Sequence, residues 1–62
     1  MTRLVKMLVG LRNNMTQDTY FLDNFILEVM SGFDPEQALW NARHFLDFSL
    51  YTRCLEIIYF CK

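Results

Sequence analysis

The chain has 62 residues, 53% of them hydrophobic and 16% aromatic, with a formal net charge of −1. At this length it makes one domain that buries only about 60% of the surface its unfolded form exposes, so a monomer would be marginal. The charge balance leaves nucleic acid no electrostatic footprint, and a single histidine, His44, excludes a His-pair metal site within one chain.

Residues 1 to 14 read as a leader in which Leu4, Leu8, Leu11 and Met15 recur at helical spacing. Gly10 weakens that helix and Asn13-Asn14 ends it, which predicts a short helix either packed on the remainder or mobile. Thr16 is placed to cap a second helix, and Asp18 adds a carboxylate to its first turn. Tyr20, Phe21, Leu22, Phe25, Ile26, Val29 and Met30 supply a broad apolar stripe, with Asp23, Asn24 and Glu28 off it. The pattern predicts an amphipathic helix over about 17 to 31.

The segment Ser31-Gly32-Phe33-Asp34-Pro35-Glu36-Gln37 then stops one helix and starts another. Gly32 suits the positive φ of a helix C-terminus, and Asp34 can cap the next helix, whose first position takes Pro35. Gln37 can close a capping box on Asp34, and Phe33 can staple against Ala38 or Leu39.

No Gly or Pro follows, so one long helix is predicted over about 35 to 59. Its apolar arc, which includes Ala38, Leu39, Phe45, Leu46, Leu50 and Ile57, covers about half the circumference by the 100° rule. A second band carries Trp40, Phe48, Tyr51, Leu55, Ile58 and Tyr59, and a helix apolar nearly all round is a buried one. Arg53 falls inside the wide arc, where it either meets Glu28 or Asp47 or extends to water.

Catalytic and metal patterns are lacking. Neither CxxC nor HxxxC spacing occurs, and along one helix His44 would stand roughly 15 Å from Cys54 and 25 Å from Cys61. No catalytic residue, metal or cofactor is expected, and the chain reads as no enzyme. Cys54 and Cys61 lie about 10 Å apart by helical rise, too far for a bond within the chain. With disulfide and metal set aside, the stabiliser that remains is a partner chain. Met1 to Leu11 shows no secretory cleavage pattern and no segment reaches the roughly 20 apolar residues of a membrane span, so a reducing cytoplasm is expected.

Met30-Ser31-Gly32-Phe33, followed by Glu36-Gln37-Ala38-Leu39, is similar to the Met-Gly-Phe loop and following Ala-Leu of ubiquitin-associated domains. Ser31 interrupts that motif, and the uninterrupted run from Ala42 to Leu55 leaves no turn before a third short helix, so ubiquitin binding is not carried over. In size and helical content the chain also resembles the small early-region proteins of lambdoid bacteriophages, encoded between the exonuclease and excisionase genes. That resemblance implies action on host replication or cell-cycle control through protein contacts.

The expected fold is therefore an all-α helical hairpin that pairs as a homodimer into a four-helix arrangement. The expected function is regulatory protein–protein interaction in the cytoplasm, with itself and a host or cognate protein as partners and no membrane. Trp40, Phe45, Phe48, Tyr51, Leu55 and Tyr59 are the candidate partner-binding or dimer-interface residues. The alternative is a helix-turn-helix nucleic-acid binder turning at 31 to 34, although Pro35-Glu36-Gln37 would present negative charge to phosphate.

Overall fold

The first helix is set by its ends. Thr2 accepts a hydrogen bond from the Val5 amide at 3.2 Å, and α1 runs Arg3–Asn13 from that cap to Asn14. The computed structural model of the chain describes residues 2–15 and 19–62. α1 is an integral element: Val5 and Leu8 are buried in the core, and Leu4, Val9 and Leu11 pack against it.

α2 spans Tyr20–Met30 and buries Leu22, Phe25 and Ile26. The expected cap Thr16 and first-turn Asp18 lie outside the described residues. The Thr19 hydroxyl donates to Asp23 Oδ2 at 3.1 Å, and Arg12 Nε donates to Asp23 Oδ1 at 2.8 Å, tying α1 to α2. The Arg12 hydrogen bond holds the Asp23 carboxyl below its ordinary value, against a smaller opposing effect of desolvation. A depressed carboxylate favours the fold at neutral pH and loses that effect as pH falls from 3.8 through the lowered value. Both side chains are exposed, so the pair orients the helices more than it stabilises them.

The turn follows the expected chemistry in part. Gly32 has φ +99°, its amide reaches Val29 O, and the Phe33 amide reaches Glu28 O, both at 3.1 Å. This pair of bonds is a Schellman closure, which needs a residue without a Cβ penalty at positive φ. Asp34 accepts from the Gln37 amide at 3.0 Å, and Pro35 opens α3, Pro35–Asn41. Two expectations are corrected. The Gln37 side chain donates forward to Asn41 Oδ1 at 3.1 Å in place of returning to Asp34, so the capping box is half made. Phe33 borders a shallow groove with Ala38 but is 63% exposed as a residue, so any staple leaves most of it in contact with solvent.

The long helix expected over 35 to 59 is divided. α3 ends at Asn41, a 3₁₀ turn covers Arg43–Phe45, Leu46 is extended (φ −114°, ψ 141°), and α4 occupies Phe48–Phe60. Asp47 caps α4 by accepting from the Leu50 amide at 2.7 Å. The physical reason is burial. A straight helix of that length would extend about 37 Å at 1.5 Å per residue, whereas the longest dimension of the molecule is 25 Å. Breaking at 42–47 lets both halves cover the same core.

Among the described residues four helices close a ring in which α1 packs on α2, α2 on α3, α3 on α4, and α4 on α1. Val5, Leu8, Leu22, Phe25, Ile26, Ala38, Leu39, Cys54 and Ile58 form one core cluster. The chain is all-helical as expected, but one chain alone supplies four helices around that core. The turn at 42–47 also overturns the expectation that no turn precedes the last helix. Among the described residues no helix is long and apolar enough to cross a membrane.

Candidate protein-contact surface

The break between α3 and α4 creates the most distinctive surface. Trp40 stands next to the last residue of α3, one position beyond the fully buried Leu39, and the residue is 53% exposed. Arg43 Nη1 donates to the Trp40 carbonyl at 2.7 Å, and its guanidinium lies 3.9 Å from the Trp40 ring centroid. One cation thus satisfies an orphan carbonyl at the helix end and holds an aromatic plane in place. Phe48 takes the first position of α4 beside its cap, Asp47, and is 84% exposed. Trp40, Arg43, His44, Leu46, Phe48 and Tyr51 line an open cleft of about 340 Å³.

Of the six residues expected to form a contact surface, Trp40, Phe48 and Tyr51 therefore meet at one cleft. Phe45 lies elsewhere. Its ring stacks on Phe21 with centroids 4.4 Å apart and an 8° interplanar angle, and Tyr20 meets Phe21 edge-on at 5.3 Å. These rings border a separate groove of about 280 Å³ with Asn24, Glu28 and Asn41. Tyr59 is held at the far end of α4, where its hydroxyl donates to Glu36 Oε2 at 3.4 Å and the Lys62 ammonium sits 4.7 Å from its ring. Lys62 also pairs with Glu36. Leu55 is half-buried against the core.

The two expected bands on a continuous helix are redistributed by the break. Tyr51, Cys54, Leu55 and Ile58, at i, i+3, i+4 and i+7, form the inward stripe of α4. Three of them were expected on the outer band. Conversely, Tyr20, Phe21 and Met30 were expected in the buried stripe of α2 and are exposed. The signals that would have found the cleft were Asp47, as a cap three residues before Leu50, and Arg43, one helical turn after Trp40.

Arg53 is exposed on α4 and lines another open cleft with Leu11, Met15 and Asp47. Among the described residues it forms no ion pair, so neither Glu28 nor Asp47 engages it. The would-be recognition helix of the nucleic-acid alternative, α3, is seven residues long and starts Pro35-Glu36 after the Asp34 cap. Its one nearby arginine, Arg43, is folded onto Trp40.

The cysteines occupy different environments along α4 and its C-terminal cap, while His44 lies in the turn before α4, so its separation from them along one continuous helix no longer applies. Cys54 is fully buried, and burial pushes its thiol from 9.0 up to about 11. Cys61 is partly exposed, its sulfur 3.5 Å from Met7 Sδ. A shift of that size lowers the thiolate fraction of Cys54 at pH 8 about a hundredfold. One thiol, Cys61, is therefore expected to react promptly with a disulfide reagent in the native protein. Cys54 should follow at least a hundredfold more slowly and catch up in urea; equal native rates would contradict its burial. Among the described residues no group of three or more His, Cys, Asp or Glu is placed to hold a metal ion.

Compared with models of protein families, with curated proteins and with solved structures, the chain matches none.

Proposed function

We propose that the protein is a non-enzymatic regulator that acts through protein–protein contact and pairs with itself. One observation carries this reading: among the described residues ten large apolar side chains are exposed, and several of them are gathered around clefts. Scattered exposed apolar residues need no explanation, but contiguous aromatic patches rimmed by polar groups mark contact sites. The arrangement of Trp40, Arg43, Phe48 and Tyr51 has the composition of an interface centre, where aromatic residues and arginine are enriched.

The resemblance to lambdoid phage early proteins supplies the setting. On that reading the protein works in the host cytoplasm and bears on host replication or cell-cycle control by occupying a host or cognate protein. The reading is tested by capture from such a cytoplasm with wild-type protein, Trp40→Ala and Phe45→Ala, which probe the two aromatic faces separately. A specific partner retained by wild type and lost with one variant supports it. Capture of nothing by wild type, or of the same proteins by both variants, counts against it.

A further inference from the structure

We propose that the α3–α4 junction is a hinge, and that two copies of this chain exchange their α4 helices when it straightens, each α4 filling the core of the other copy. This mode of pairing rests on the homodimer reading and supplies its mechanism.

The junctions on either side of α3 differ in what keeps them bent. Between α2 and α3, Gly32 takes φ +99° and Pro35 opens the next helix. A straight helix there would set the Pro35 ring against the Ser31 carbonyl, so that bend is fixed by covalent geometry. Between α3 and α4 there is neither Gly nor Pro, and no residue has positive φ. Arg43–Phe45 already form a 3₁₀ turn, and extended backbone is confined to Leu46 and Asp47, with ψ 141° and 164°. Turning those two angles to the helical value of about −42° and relaxing the 3₁₀ turn runs α3 into α4. Ala42, Arg43 and Leu46 are strong helix formers, and the straight form regains the backbone ladder across the junction.

Two side chains latch the bent form. Asp47 accepts from the Leu50 amide at 2.7 Å, and Arg43 donates to the Trp40 carbonyl at 2.7 Å. Both bonds satisfy backbone groups that a continuous helix would satisfy by itself.

Opening alone would strip the core, because α4 supplies Cys54 and Ile58 to it, with Leu50, Tyr51, Leu55 and Ile57 packed alongside. A second open copy restores what the first loses. In the closed chain α3 and α4 run antiparallel, since Glu36 at the start of α3 meets Tyr59 and Lys62 at the end of α4. Two straightened helices laid antiparallel about a two-fold axis reproduce those pairings between chains. The halfway point between Glu36 and these partners lies at about residue 48, where the extended backbone ends and α4 begins. The axis and the hinge therefore coincide.

The interface is then the native core contact, with those six apolar side chains of each α4 packed against the other chain. No complementarity beyond that of the closed chain is required. The straight helix over 35–60, about 39 Å long, overruns a single molecule of 25 Å but spans two cores set end to end.

Sedimentation velocity of the full chain, refolded from urea at dilute and at high concentration, tests the exchange, with circular dichroism as a check on folding. Wild type is expected as monomer from dilute refolding and as dimer from concentrated refolding. Phe48→Pro is expected to stay monomeric at both. Proline suits the first position of α4, and Asp47 before it (φ −71°, ψ 164°) already has the backbone that a following proline favours. In a straight helix the same ring would meet the His44 carbonyl. Phe48→Ala removes the aromatic ring without blocking the straight form, and should still dimerise. Asp47→Ala loses the latch and gains a helix former, so its dimer should form at least about fivefold more readily.

A wild type that is monomeric under both conditions would overturn the homodimer reading and the exchange together. Dimeric wild type with folded, dimeric Phe48→Pro would overturn the exchange and leave the homodimer standing. Loss of the dimer in Phe48→Ala as well as Phe48→Pro would assign pairing to a ring contact and equally overturn the exchange. If Phe48→Pro loses its helical signal, Ser49→Pro, also in the first turn of α4, decides by the same criterion.

Discussion

Phe25→Ala is expected to leave the protein largely unfolded at ambient temperature. Phe25 is 1% exposed and belongs to the cluster that joins all four helices. Truncating a core phenylalanine to alanine costs about 3–5 kcal/mol, from the lost transfer energy of the ring and the cavity left behind. A chain of this length holds roughly 3–9 kcal/mol in total, at 0.05–0.15 kcal/mol per residue. The loss is thus comparable with the whole. Urea titration followed by circular dichroism, at matched protein concentration, checks this; Phe33→Ala, on a ring already in solvent, should shift stability by less than about 0.5 kcal/mol. A Phe25→Ala protein with a wild-type midpoint would show that the core does not depend on this ring.

Removal of residues 1–14 is expected to abolish cooperative unfolding. Val5 and Leu8 are buried between α2 and α4, and each fully buried aliphatic side chain contributes about 1.5–3 kcal/mol. Without α1 those two contributions vanish and the inner faces of Leu22, Phe25 and Cys54 open to water. The expected signature is a broad, non-sigmoidal urea curve with dye-binding apolar surface. A sharp transition in the shortened chain would show that the leader is dispensable. The same experiment separates the two roles weighed for the leader, since a mobile segment could be lost without effect.

Local helix-end chemistry was legible wherever one residue could do only one thing. Gly32 takes positive φ, Asp34 caps α3 and Pro35 opens it, because each solves a problem of unsatisfied backbone groups within four residues. The end of α1 at Asn13-Asn14 was legible for the same reason. Longer side chains with a choice of partner were less so. Gln37 turns to Asn41, and Phe33 stays in solvent, because neither outcome is decided inside the turn itself.

The break at 42–47 had a local signal, the Asp47 cap, but no Gly or Pro to force it. Reading the helix straight through carried the 100° phase across an extended residue, Leu46, and so placed Leu55 and Ile58 on the outer band although they pack in or against the core. Trp40, Phe48 and Tyr51 meet because the chain bends between them, whereas Phe45 and Tyr59 are carried away to other clusters.

By itself the sequence determined that this chain is helical, where its first turn lies, and that it carries more apolar surface than two helices can bury. These follow from periodicity, capping and composition, which act over a few residues. Only the tertiary structure decided that the leader enters the core, that the long helix divides, and which aromatics remain outside. Each of those outcomes depends on a comparison among distant segments. A continuous last helix would overrun a molecule whose longest dimension is 25 Å, so the energy of burying both halves prevails over one uninterrupted run of backbone hydrogen bonds.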